Sequence, residues 1–317
     1  MVWFDVAFLL AGFAILITSA DEAIGRLVNI SRRLGVSEFI TSFIIVGAVA
    51  VMPELSIGVN SAIEGIPSFG LGIIFGSNVA DLTLVIGVFI LSAQSATIKT
   101  PALRIDKWFL AAIILPVILL LDGDISRLDG VLLIAAYLAY VWTMLGIKPR
   151  IERRLPALPG SLVADAGMAL AMLGILLFGG WMINHAAHQI GTALSLPQLF
   201  LGQILAIGTC MPELTFAIRS AKKRHGELGF GDIFGNVFAD CLLTLGIIAL
   251  ISPIAPSNPN LALVGGGMMV MAMLVLLAVF DGRRRVGKNE GVIMIAAYGA
   301  FVLLQIVAER MIVNGGI

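Results

Sequence analysis

Val49-Ala50-Val51-Met52-Pro53-Glu54-Leu55 and Gly208-Thr209-Cys210-Met211-Pro212-Glu213-Leu214 lie 159 positions apart, each inside a long apolar run. In both, an acid follows a helix-breaking proline. Each is followed 27 residues later by a second acid, Asp81 in Phe75-Gly76-Ser77-Asn78-Val79-Ala80-Asp81 and Asp240 in Phe234-Gly235-Asn236-Val237-Phe238-Ala239-Asp240. A carboxylate at mid-bilayer is unfavourable by at least ~2.5 kcal/mol on insertion scales, so it must face a partner, a cavity or an ion. Proline removes an N–H and displaces the carbonyl four residues earlier, which leaves the oxygens of Val49 and Gly208 needing another partner. A hard cation satisfies both kinds of group at once.

The chain can carry such segments because it is 59% hydrophobic and 13% charged over 317 residues, with a mean hydropathy of +1.03. A soluble globular domain would expose much of that apolar surface, so the composition predicts a polytopic, all-α membrane protein. Net charge is zero and no long charged tail is present, which gives nucleic acid no footing. Met1-Val2-Trp3-Phe4-Asp5 lacks a positive n-region, so the first apolar run reads as a true span. Cys210 and Cys241 both sit in apolar spans, where a structural disulfide is not the natural reading.

At about 20 residues per span, ten helices are expected near 5–28, 38–62, 70–95, 106–122, 128–146, 163–187, 197–220, 228–252, 261–280 and 289–312. Alternate loops then collect 18 of the 20 Lys and Arg on one side, with Arg127 and Arg310 opposite. By the positive-inside rule the basic side is cytoplasmic and both termini face out, at the cell membrane. Asp129-Gly130-Val131 with Ala135-Ala136-Tyr137 recurs as Glu290-Gly291-Val292 with Ala296-Ala297-Tyr298, at an offset of 161. Two five-helix repeats follow, 1–147 and 161–317, joined by a basic cytoplasmic linker at 148–160. Five is odd, so the second copy inserts inverted, and helices 2 and 7 are the broken ones; this is a transporter plan with its site at the repeat interface.

At these residues the chain resembles the Ca2+/cation antiporter superfamily, which includes the sodium/calcium exchangers and carries a Gly-Thr-Ser-x-Pro-Glu segment and a Gly-Ser-Asn-x-x-Asn/Asp segment in each inverted repeat. The second repeat keeps Gly208, Thr209, Pro212, Glu213, Gly235 and Asp240; the first keeps Pro53, Glu54, Gly76, Ser77 and Asn78, with Asp81 last. The resemblance implies that Glu54 and Glu213 are the principal Ca2+ ligands. Thr209 and backbone oxygens near Gly47, Val49 and Ala206 would complete the shell, with Asp81 and Asp240 as a second pair. Ala50 and Val51 stand where the first motif offers Thr-Ser, and Cys210 and Asn236 replace expected serines. The losses touch sodium coordination more than divalent binding.

The expected activity is therefore antiport of Ca2+ against a monovalent cation, Na+ ahead of H+ with K+ open, by alternating access and with no cofactor or obligate protein partner. Coupled transport of Mn2+ or Mg2+ and a passive divalent channel are the alternatives. Ca2+ accepts six to eight oxygens in irregular geometry, and crowded carboxylates raise one another's proton affinity, so Asp81 and Asp240 are expected to share protons. Soft donors at Met52, Met211 and Cys210 keep a transition metal in view. Asn78, Ser77 and Asn236 read as polar neighbours of the ion. His185 and His188, three apart without a third ligand, read as interfacial, and Asp122, Asp124 and Asp129 as a solvated outer loop. No His-Glu-x-x-His, no Ser/His/Asp set within the spans and no nucleotide loop is present, so no enzyme is expected.

Overall fold

A computed structural model describes residues 2–34, 51–93, 97–99, 107–145, 160–222, 226–280 and 285–313. Helix α1 covers Val2–Arg33, α2 Met52–Ile63, and α3 Pro67–Ala80, which runs through a π turn at Asp81–Val85 into α4, Ile86–Ser92. After the strand β1, Thr97–Lys99, come α5 at Lys107–Leu119, closed by a 3-10 turn at Leu120–Asp122, and α6 at Arg127–Leu145. The second half repeats this order: α7 Leu162–Leu194, α8 Gln198–Thr209, α9 Met211–Lys222, and α10 Gly226–Ala239 with a π turn at Asp240–Thr244 leading into α11, Leu245–Ile251. Helix α12 at Pro259–Phe280, strand β2 at Arg285–Gly287 and α13 at Lys288–Val313 complete it. Seven stretches among the described residues are long and apolar enough to cross a membrane, and Phe109–Asp122 is the short fourth span. The first part of the second span, 38–50, lies outside the described residues.

Burial ranks the spans. The most apolar window of Pro67–Ser92 is 89% buried and that of Ile233–Ile251 72%, against 28% for the first span and 22% for Leu162–Leu194. The third and eighth spans, which carry Asp81 and Asp240, are thus the centre of the molecule. Close approach is what the glycines supply. Gly72 lies so near the Leu199 backbone that a Cβ would stand 2.1 Å from its carbonyl oxygen, and Gly202 answers from α8 with 2.4 Å to the Phe69 oxygen. Gly87 of α4 meets Gly291 of α13, and Gly246 of α11 meets Gly130 of α6, each backbone to backbone. The two crossings exchange under the sequence repeat, Gly87 with Gly246 and Gly130 with Gly291.

The loops follow the same exchange. Strands β1 and β2 pair antiparallel, Ile98 opposite Val286, and elsewhere Ile125 and Ile254 form an isolated antiparallel bridge. Ile125 and Val286 are themselves 161 residues apart, the repeat offset. Each bridge therefore ties the first half to the second.

Helices α1 and α7 stand apart as a packed pair. Gly12 and Gly179 let the two backbones approach, and a smaller apolar cluster including Leu9, Leu16, Ile183 and Ala187 joins them to Ile57, Phe69 and Ile73. At the basic end Arg33 contacts Asp165 at 2.8 Å and Arg26 contacts it at 3.2 Å. With 32 and 33 residues they are roughly 48 Å long. Both extend past the spans expected at 5–28 and 163–187, because apolar length fixes only the part of a helix in lipid.

Candidate cation site

The seventh span breaks at one residue. Cys210 sits between α8 and α9 with φ −76 and ψ 2, and Val51, its counterpart in the repeat, precedes α2 with φ −80 and ψ 1. Pro53 and Pro212 occupy the first turn of the helices that follow, where a missing N–H is harmless. Glu54 and Glu213 come next, in the first turn of α2 and α9, where the positive end of a half-helix favours a carboxylate. On the other side of the break α8 ends in carbonyls, which suit a cation. Gly208 must lack a side chain there, since a Cβ would stand 2.4 Å from the Phe13 ring of α1.

Glu54, Asp81, Asp240, Thr209, Ser77, Asn78, Asn236 and Ala206 are all buried, and Glu213 is 2% exposed. The carboxylate oxygens of Glu54 are buried, with the Thr209 hydroxyl and Glu54's own backbone N–H beside them. Thr209 lies beside that carboxyl, while its hydroxyl donates to the Ala206 carbonyl at 2.8 Å. Glu54, Glu213, Asp81 and Asp240 all act electrostatically on Cys210, whose thiol contacts the Ser77 carbonyl at 3.6 Å. The acids thus share one region at the meeting of the two halves. They do not share one point: among the described residues, no three Asp, Glu, His or Cys side chains stand close enough to hold an ion together.

The central spans explain the spacing. The π turns begin at Asp81 and Asp240, with the amides of Ile86 and Leu245 reaching back five residues to the carbonyls of those acids. Each acid takes a donor from the opposite half: Asn236 Nδ2 donates to Asp81 Oδ2 at 2.9 Å, and Ser77 Oγ to Asp240 Oδ2 at 3.3 Å. Ser77 and Asn236 are repeat counterparts, so the two bonds are one contact seen twice. Asn78 Nδ2 meets sulfur, at 3.3 Å from Cys241 Sγ, beside Asp240, and 3.5 Å from Met269 Sδ. Gly47 and Val49 lie outside the described residues.

Sequence reasoning passed over Thr244, buried beside Asp240, and the amide pair in which Gln305 Nε2 donates to Gln203 Oε1. A polar residue inside an apolar span was the available signal for all three. His185 stacks on Trp181 at 5.6 Å between ring centres and His188 contacts Gln198 at 3.3 Å. Both face Glu64, whose carboxyl partial burial pushes above its ordinary range while the histidines oppose the rise.

The sequence model of the family described as sodium/calcium exchanger protein matches residues 4–146 and again 164–307, one match in each half. A sodium/calcium exchanger of Methanosarcina acetivorans is 21% identical, over 96% of this chain and 99% of its own. The solved sodium/calcium exchanger from Methanococcus jannaschii superposes with a TM-score of 0.60 at 23% identity, covering 94% of this chain and 97% of that one. The H+/Ca2+ exchanger CAX superposes at 0.68 and 14% identity, covering 96% and 88%. These structural likenesses share the ten-helix, two-repeat membrane fold. With family matches across both halves, the chain belongs to the sodium/calcium exchanger family.

Proposed function

We propose that this protein exports Ca2+ in exchange for a monovalent cation, with Glu54 and Glu213 as the principal ligands. The observation that carries the reading is the helix break at Cys210 together with the matching start of α2 after Val51, each placing a buried glutamate on a helix N-terminus. A fully buried acid such as Glu54, faced only by a hydroxyl and its own amide, is strongly unfavourable as a carboxylate unless an ion or proton joins it. Thr209 and the carbonyls of Ala206, Gly208, Gly47 and Val49 would add neutral oxygens. Asp81, Asp240, Ser77, Asn78 and Asn236 would surround them. The repeats at 1–147 and 161–317 would alternate access across a cell membrane, with the basic loops and the 148–160 linker in the cytoplasm and both termini outside.

Energetics demand a driving ion. Expelling Ca2+ against a 10^4-fold gradient and ~100 mV requires about 10 kcal/mol, while each Na+ entering down a tenfold gradient returns about 3.7 kcal/mol, so roughly three suffice. Sodium is the first reading. Protons are the second, favoured by buried Val51 and Cys210 at positions where hydroxyls would serve Na+.

The test is radiolabelled Ca2+ uptake into proteoliposomes under separately imposed Na+ and H+ gradients, with counterflow to distinguish exchange from a pore. Glu54→Ala and Glu213→Ala are each expected to lower flux by at least about tenfold, the scale of one lost charged contact. Normal flux in both variants would remove the ligand assignment.

A further inference from the structure

On the lipid-facing flank of the core, a cavity of about 270 Å3 opens between α3, α8, α12 and α13. Phe75, Met268 and Phe301 contribute apolar walls. Its rim includes Ile204, 41% exposed, and Val302, 36% exposed, on faces that an inserted helix turns toward acyl chains. The Gln203–Gln305 amide pair lies in its lining. Gln203 packs its amide nitrogen against Gly265, where a Cβ would stand 2.0 Å from it, and accepts from Gln305. Gln305 is 94% buried, and its Oε1 has no hydrogen-bond partner among the described residues.

We infer that this cavity binds a small amphiphile delivered from the bilayer, an apolar body with a single O–H or N–H that donates to Gln305 Oε1. A lipid tail would fill the apolar walls and leave the buried oxygen unsatisfied, which is unfavourable in a medium without water. A donor-bearing molecule satisfies both. At the ~30 Å3 that a water-sized group takes in a liquid, the volume admits roughly nine heavy atoms, the size of octanol. Such an occupant sits against Gly76 and Ile207, next to Ser77 and Gly208, and so bears on the buried cluster from the lipid side.

The full chain in lipid nanodiscs is photolabelled with a diazirine-bearing octanol, the adducts are mapped by peptide mass spectrometry, and octanol and octane compete at matched membrane concentrations. Labelling is expected to concentrate on Gln203–Ile207 and Tyr298–Gln305, and octanol is expected to displace it at about fivefold lower concentration than octane, the scale of one hydrogen bond. Gln305→Leu abolishes that preference. Ile204→Trp, a change at the lipid-facing rim that leaves the interior packing intact, removes the labelling itself. Adducts spread evenly over lipid-facing helices, equal competition by octane, or undiminished labelling of Ile204→Trp would each overturn the inference.

Discussion

Asn236 and Ser77 are the residues on which the two halves depend for each other's acids. The 2.9 Å bond from Asn236 to Asp81 is the better of the two, so its loss is the more damaging. Asn236→Ala is expected to destabilise the protein by about 1–3 kcal/mol, because it removes a donor from a buried carboxylate, and Ser77→Ala by about 0.5–1.5 kcal/mol. Thermal melts of the purified variants measure the order; an equal or reversed ranking would contradict it. The acids themselves were legible in the sequence, since a carboxylate in an apolar span is rare enough to stand out. Their donors were legible only as polar neighbours: that Asn236 serves Asp81, 155 positions away, depends on how two inverted halves interlock, which no local pattern encodes.

Among the elements, the third and eighth spans combine two opposite devices, glycines that draw neighbours close and π turns that widen the helix at the acid. The glycines are visible in the chain, but which neighbour each one admits is seen only in the fold. The π turns could not be read from the chain, because Asp81–Val85 and Asp240–Thr244 have ordinary helical composition and the wider turn arises from tertiary surroundings. Gly72→Ala tests the packing device: its Cβ meets the Leu199 backbone, which cannot rotate aside, so a loss of about 1–3 kcal/mol is expected. Gly267→Ala, with nothing within 4 Å, is the matched control and should melt near the parent. The helix break at Cys210 was expected from Pro212, and its confinement to a single residue is visible only in the structure.

In the whole molecule, the ten-span plan was readable because apolar length, basic loops and the internal repeat agree with one another. The ends of α1 and α7 were not, since both run on beyond the apolar stretch, and Arg26, Arg33 and Asp165 meet there. Asp165→Asn removes the charge that Arg33 and Arg26 both contact, and is expected to lower stability by about 1–3 kcal/mol, read by thermal melting. Asp165→Glu, which keeps the charge, should recover most of the loss; a loss as large as that of Asp165→Asn would mean that packing, and not the ion pair, holds those ends. The paired bridges, β1 with β2 and Ile125 with Ile254, have a mechanical corollary. A body laced across its own seam at two places resists shear along that seam. Whatever displacement opens one mouth and shuts the other has to be taken up at the boundary that carries no such bridge, where two long helices lean on the rest through packing and a few side-chain hydrogen bonds such as Asn184 to the Ile57 carbonyl.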